Sequence, residues 1–337
     1  MTGKRLYVGM DYHDKSVQVC VIDEEQRVLL NKGCGNDWRA IAQAVAPKGA
    51  AVRAALESCS GSTQLAEELA EYAGWSVDLA HPGYVQRMKQ TPDKSDFSDA
   101  QMLADLERVG YVPRVWLAPE PIRELRRLVH HRRTLADHRR AAKQRIGAAL
   151  RDQRIFSAPG TRWTRKWLRW LREEAPLSAQ SRWIMWHCLR ELTFVGEQLA
   201  QTEERLEEIT REDPVVQQLR SLKGIGLVTA CELRASVGRF DRFTSGKQLA
   251  RFCGLSPRNT ASGQRQTPGG LISACDRRLR AAIIQTAHRL KRFDPRWRAL
   301  AQRMSAEGKP AGVIVAAVGN RWLRWLYHQM KPLGLSL

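Results

Sequence analysis

The sequence predicts an α/β domain over residues 1–112, a basic helical region over 113–212 and a mainly α-helical unit over 213–337. Three observations carry that division. The first hundred or so residues alternate short apolar runs with helical patterns, and three prolines (Pro113, Pro119, Pro121) then interrupt the chain. Beyond them, long helical patterns hold most of the positive charge. From Arg123 to Arg182 there are 17 Lys+Arg against five Asp+Glu, a net +12 within a chain whose formal net charge is +20.

The elements follow in order. Leu6–His13 is an apolar run that contains one carboxylate, Asp11, and Ser16–Asp23 has the period-2 alternation of a strand with one buried face. Arg27–Lys32 reads as a third strand, close enough to the others for antiparallel pairing. Trp38–Ala46 reads as a helix, Ala51–Glu57 as a buried strand ending in a second carboxylate, Gln64–Ala73 as a helix and Trp75–Ala80 as a strand. Pro82 opens a helical stretch, because a proline's missing N–H costs nothing in a first turn. Ser98–Arg108 is helical, and Pro113 to Pro121 reads as a linker. Helices are expected over Ile122–Arg154, Arg162–Glu174 and Gln180–Glu212, then on either side of Leu222–Leu227 and around Ser245–Phe252. A polar, glycine-rich loop is expected from Gly254 to Gly270, followed by helices at about Asp276–Arg292, Pro295–Glu307 and Ala311–Met330.

With 337 residues, 43% of them hydrophobic, the chain can bury a sizeable core. Its charge excess argues against a small-molecule enzyme and for a polyanionic partner, either nucleic acid or an acidic membrane surface. No apolar run approaches the ~18 residues of a bilayer span, and the N-terminus lacks a signal peptide's apolar region. A soluble, cytoplasmic protein is expected. The seven cysteines stand singly, without a C-x-x-C pair, so buried thiols are expected rather than disulfides or zinc ligands.

Arg126, Arg127, Arg132, Arg133, Arg139 and Arg140 are candidates for phosphate contacts. A solvated helical face is the alternative, but such a face mixes both signs, as the helix with Glu197, Glu203, Arg205 and Glu208 does. Trp163, Trp167, Trp170, Trp183 and Trp186 lie in the same region and are expected mainly to pack. In Leu222-Lys223-Gly224-Ile225-Gly226, a Gly-Ile-Gly turn between helices frees backbone N–H groups for a phosphate, as in helix-hairpin-helix binding. This makes Lys223, Gly224 and Gly226 candidates, although Gly-x-Gly turns also arise for conformational reasons alone.

The chemistry turns on acids. Asp11 within an apolar strand is costly unless paired or bound to a cation; standing alone it would read as a turn aspartate. Glu57 ends another strand. In Asp93-Lys94-Ser95-Asp96-Phe97-Ser98-Asp99-Ala100, Asp96 and Asp99 are spaced i, i+3 on one helical face, and a cation between them would relieve their repulsion. Asp96 could also serve as a helix N-cap. Four oxygen ligands suit Mg²⁺ or Mn²⁺, and two such ions about 4 Å apart stabilise the attacking and leaving oxygens of phosphoryl transfer. Asp14, Asp93 and Asp105 are alternative ligands, and His13 reads as a strand-end polar residue rather than a base.

Residues 6–106 resemble the RuvC-like (ribonuclease H superfamily) domain of the DEDD transposases of bacterial insertion sequences, whose members are guided by a bridge RNA. The matching stretches are Tyr7-Val8-Gly9-Met10-Asp11, Leu56-Glu57-Ser58-Cys59-Ser60-Gly61 and Lys94-Ser95-Asp96-Phe97-Ser98-Asp99-Ala100. Ser95 stands where the family usually has threonine. Leu222–Gly226, Phe252-Cys253-Gly254-Leu255-Ser256-Pro257, Ala261-Ser262-Gly263-Gln264 and Arg277-Arg278-Leu279-Arg280 resemble that family's second domain, and residues 113–212 fit its coiled-coil insertion by length and helical character. The resemblance implies that Asp11, Glu57, Asp96 and Asp99 bind the divalent metal and that Ser262 is the nucleophile. By itself, a serine in such a loop is usually a turn residue. It further implies donor and target DNA and a guide RNA as partners. It also implies a dimer of dimers whose active sites join the metal domain of one subunit to the serine domain of another. An RNA-guided recombinase is therefore the leading expectation. A two-metal endonuclease like Holliday-junction resolvases, or a non-catalytic nucleic-acid-binding protein, are the alternatives.

Overall fold

In the computed structural model of the chain, residues 5–46, 51–88, 95–156, 159–262 and 265–332 are described. The chain forms two compact units, Met1–Ala118 and Pro119–Leu337. Asp93, Lys94, Gly263 and Gln264, named above, lie outside the described residues.

The first unit is built on a five-stranded sheet. Its strands are β1 (Arg5–Tyr12), β2 (Ser16–Ile22), β3 (Val28–Gly35), β4 (Ala51–Glu57) and β5 (Ser76–Ala80), in the order β3-β2-β1-β4-β5. β1, β2 and β3 pair antiparallel, as their spacing predicted, whereas β4 lies parallel to β1 and β5 parallel to β4. Strand alternation sends Leu6, Val8 and Met10 into one apolar layer with Val52, Ala54 and Leu56. Helices α1 (Trp38–Val45) and α2 (Ser62–Ala73) contribute Ile41, Val45, Leu65 and Leu69 to that layer. The opposite face takes Tyr7, Cys20 and Ala55 and is covered by α3 (Pro82–Met88) and α4 (Asp96–Arg108), which supply Val85, Ala100, Leu103 and Ala104.

Residues 113–117, expected as linker, belong to this unit. The His81 N–H donates to the Pro113 carbonyl at 2.9 Å and the Val115 N–H to the Leu79 carbonyl at 2.7 Å, so the segment lines the β5 edge. An unpaired sheet edge offers these groups, and the prolines do not prevent their use.

The second unit begins with two long helices, α5 (Glu120–Asp152) and α7 (Ala179–Thr210), with α6 (Arg165–Glu173) between them. Cross-contacts at Arg132–Glu203, Arg145–Glu191 and Gln153–Ser181 run in opposite senses along the two, so they pack antiparallel. Trp167 is fully buried against Ile146, Leu150 and Leu171, with Trp163 and Trp170 packed beside it, whereas Trp183 and Trp186 are exposed. α8 (Pro214–Ser221), α9 (Leu227–Val237), α10 (Gly246–Phe252), α11 (Arg277–Phe293), α12 (Pro295–Ala306) and α13 (Ala311–Met330) share one large core around Phe240, Leu249, Ile283 and Trp322.

The Gly254–Gly270 stretch is not a loop. It forms an antiparallel hairpin of β6 (Pro257–Ser262) and β7 (Arg265–Leu271). Glycine and proline mask the signal, yet β-branched Thr260 and Thr267 occupy one register pair, a combination that favours extended backbone. No helix among the described residues is long and apolar enough to cross a membrane.

Candidate active site

Gly9 determines where α4 lies. A Cβ at Gly9 would fall 1.9 Å from the Ala100 carbonyl oxygen and 2.4 Å from the Ala104 nitrogen, so helix backbone rests directly on strand backbone. Two further contacts hold the helix. Arg53 on β4 pairs with buried Glu107 at 2.7 Å, and Asn31 Nδ2 on β3 donates to the Phe97 carbonyl at 3.2 Å. Desolvation raises the Glu107 carboxyl above its ordinary range, and the nearby Asp78 charge adds to the rise, against the lowering effect of Arg53.

This packing brings two of the four acids, Asp11 and Asp96, to one place. Asp11 and Glu57 each lie one residue beyond the last parallel rung, Met10↔Leu56, at the C-terminal ends of adjacent strands. By alternation Asp11 shares the α4-facing side with Tyr7 and Gly9, and Glu57 shares it with Arg53 and Ala55. Both carboxylates act on the Cys59 thiol. Partial desolvation raises it most, Ser62 hydrogen bonds oppose that, and the Glu57 and Asp11 charges raise it further. Asp99 on the first turn of α4 is buried, at 8% exposure, and Asp96 is half-exposed. Asp96 makes no N-cap, because the cap position is Ser95. His13 Nε2 lies 3.4 Å from Asp11 Oδ2 and 3.1 Å from Asp96 Oδ2, and one ligand atom from each of the three falls within 4.8 Å of the others. The donor set fits a divalent cation: Asp11 and Asp96 converge with His13 where a strand end meets a helix start, and a positive ion relieves the carboxylates' repulsion, whereas Glu57 and Asp99 lie outside that three-residue cluster. His13, expected as a mere strand-end polar residue, is the site neighbour that the sequence pattern missed. Asp105 instead pairs with Arg108 at 2.7 Å, more than two turns along α4 from Asp96.

The six candidate arginines of α5 divide. Arg126 donates to the Ala235 carbonyl at 2.7 Å, and desolvation lowers its pKa. Arg132 pairs with Glu203 at 2.6 Å, and Arg133 with Glu232 at 2.8 Å, which turns them inward. Arg127, Arg139 and Arg140 are exposed; Arg127 meets Glu120 and Glu124, and Arg140 meets Asp137 at 2.6 Å. Lys223, Gly224 and Gly226 are exposed on the α8–α9 turn, which buried Ile225 pins to the core. Gly224 has φ 81°, a left-handed turn position suited to glycine, and Gly226 precedes α9 with no side-chain cap on that helix's first N–H groups. A cavity of about 660 Å³ between α12 and α13 gathers Arg296, Arg303, Arg321 and Arg324 beside Trp297 and Trp325, with no carboxylate in its lining.

Ser262 ends β6, where its register partner is Arg265. The base of the hairpin is fixed by an Ile272 N–H bond to the Ser256 carbonyl at 3.1 Å and by Asn320 Nδ2 to the Leu255 carbonyl at 2.9 Å. Of the seven cysteines, all free, Cys20, Cys188, Cys231 and Cys253 are buried as expected; Cys34 and Cys275 are half-buried and Cys59 is exposed.

Known proteins match two stretches of the chain. Residues 8–155 match the DEDD domain of IS110-type elements, described as a transposase, and residues 216–302 match the transposase IS116/IS110/IS902 family. A family 20 transposase of Pseudomonas aeruginosa is 28% identical over 290 residues, 81% of this chain and 82% of its own. The transposase for insertion sequence element IS1111A of Coxiella burnetii is 25% identical over 294 residues, 85% of this chain and 78% of its own. A transposase of Sinorhizobium fredii is 29% identical over 232 residues, 66% of this chain and 54% of its own, so the chain spans just over half of that relative. With stretches on both sides of the chain's midpoint matched, the chain carries the two domains of the IS110/IS116/IS902 transposases.

Proposed function

We propose that this transposase is an RNA-guided DNA recombinase in which Asp11, Glu57, Asp96 and Asp99 hold divalent metal and Ser262 is the nucleophile. The observation that supports the metal reading is the seating of α4 on Gly9, with Asp96 of its first turn and Asp11 of β1 both close to His13 Nε2. Bound Mg²⁺ or Mn²⁺ supplies Lewis acidity at a phosphate and offsets charge developing there. The carboxylates orient that ion. The Ser262 hydroxyl attacks a DNA phosphodiester, a phosphoserine bond replaces the bond to the leaving strand's hydroxyl, and the reverse attack rejoins DNA without an external energy source. Partners are donor and target DNA and a guide RNA, with the protein working as a dimer of dimers. Sequence is read by base pairing while basic surfaces hold backbone phosphates. Arg127, Arg139, Arg140 and the turn Lys223–Gly226 are the exposed candidates for those contacts.

The test is a denaturing gel after incubation of the full chain, its copurified RNA and DNA. A covalent protein–DNA band is expected for the wild type and is absent in Ser262→Ala. Asp11→Ala abolishes strand exchange and leaves RNA binding intact. Full activity of Ser262→Ala rules out the serine role, and cleavage without a covalent band replaces recombination with two-metal hydrolysis. Sequencing of the copurified RNA reads out guidance: a discrete transcript from the protein's own element supports it, and its absence removes it.

A further inference from the structure

Resting on the metal reading above, we infer that His13 is itself a ligand of the divalent ion, giving a mixed nitrogen–oxygen donor set.

Three observations lead there. The His13 backbone is held on both sides: its N–H donates to the Ser16 carbonyl at 2.9 Å, and its carbonyl accepts from Asn36 Nδ2 at 3.1 Å. That fixes the β1–β2 turn so that the imidazole stands over the end of β1. A single ring nitrogen, Nε2, faces both acids, 3.4 Å from Asp11 and 3.1 Å from Asp96. Adjacent ligands of an octahedral ion with bonds of 2.0–2.1 Å lie about 3 Å apart, so these two edges need close by only a few tenths of an ångström. Finally, a close pair between groups exposed by 43% and 51% is a weak reason to hold a histidine here, since exposed pairs stabilise little.

An imidazole among carboxylates changes which ion binds. Oxygen-only sites favour hard Mg²⁺, whereas nitrogen donors raise affinity for first-row transition ions relative to it. His13 thus moves the site's preference toward Mn²⁺.

The experiment is pulsed electron paramagnetic resonance on the full chain loaded with Mn²⁺ alone. Wild-type protein shows nitrogen modulation of the bound-Mn²⁺ signal, and His13→Ala removes it while Mn²⁺ stays bound. Calorimetric titration shows Mn²⁺ affinity falling about tenfold or more in His13→Ala, with Mg²⁺ affinity falling less. Asp11→Asn weakens both ions. Bound Mn²⁺ that is sensitive to Asp11→Asn but lacks nitrogen modulation overturns His13 ligation and leaves the carboxylate site standing. Mn²⁺ binding indifferent to Asp11→Asn overturns the carboxylate reading as well. Because His13 lies in an exposed turn, an unchanged melting temperature in His13→Ala separates lost ligation from lost fold.

Discussion

Gly9 shows how a single residue sets the spacing of the candidate site. No side chain other than hydrogen fits between β1 and α4, so Gly9→Ala must push helix backbone away. The expected loss is at least the 1–3 kcal/mol of an overpacked core, about 3 kcal/mol, read from urea unfolding, together with loss of Mn²⁺ binding. An unchanged unfolding midpoint refutes the close approach. Arg53 makes a second prediction. Glu107 has a raised pKa, so the fold holds its proton more tightly than the unfolded chain does. The matching stability is complete below the ordinary carboxylate range and is lost as pH rises through the raised value. Arg53→Met removes the countercharge and raises that value further. Destabilisation should therefore be larger at pH 8 than at pH 5, about 2 kcal/mol at pH 8 because Arg53 is 37% exposed and a fully buried pair would cost more. Thermal melts at the two pH values test the sign. The acids proposed as ligands stand out in the sequence as a strand aspartate (Asp11), a strand-end glutamate (Glu57) and a helical pair spaced i, i+3 (Asp96 and Asp99). The place of His13 beside Asp11 and Asp96 does not, because it depends on a turn bringing the residue over the end of β1, and that geometry leaves no periodic trace.

At the scale of elements, the basic helix α5 is less uniform than its composition. Arg126, Arg132 and Arg133 pack inward, so Arg133→Ala should lower stability through an uncompensated Glu232. Arg139→Ala and Arg140→Ala should leave the fold alone. If the exposed pair meets phosphates, their double substitution weakens binding to all sequences alike and reduces the slope of log affinity against log salt by about two. Filter binding across a salt series measures this, and an unchanged slope excludes the pair. Helix and strand bounds were read to within a few residues nearly everywhere, because hydrophobic periodicity is a local property. The β6–β7 hairpin escaped because glycine, proline and polar residues look the same in a loop and in a hairpin. The segment after Pro113 escaped because edge pairing with β5 is decided by distant backbone.

On the scale of the whole molecule, each unit has its own apolar core, the first around Leu6, Val8 and Leu56 and the second around Phe240, Ile283 and Trp322. Calorimetry should therefore resolve two transitions. Divalent ion at a hundred times its Kd should raise only the first, by an amount equivalent to about 2.7 kcal/mol, and Asp11→Asn should cancel the shift. A single transition, or a shift that survives Asp11→Asn, contradicts this assignment. Alternation, prolines and charge suggest three regions, 1–112, 113–212 and 213–337, whereas residues 119–337 fold as one unit, because which helices share a core is decided by distant packing that composition does not record. The candidate ligands come from residues 11 through 99, and the proposed nucleophile is at 262. On that proposal, a ribosome must release α4 before the ion has a home, and must go on past the hairpin before the attacking serine exists, so a polypeptide abandoned between the two holds the proposed ligands without the proposed nucleophile.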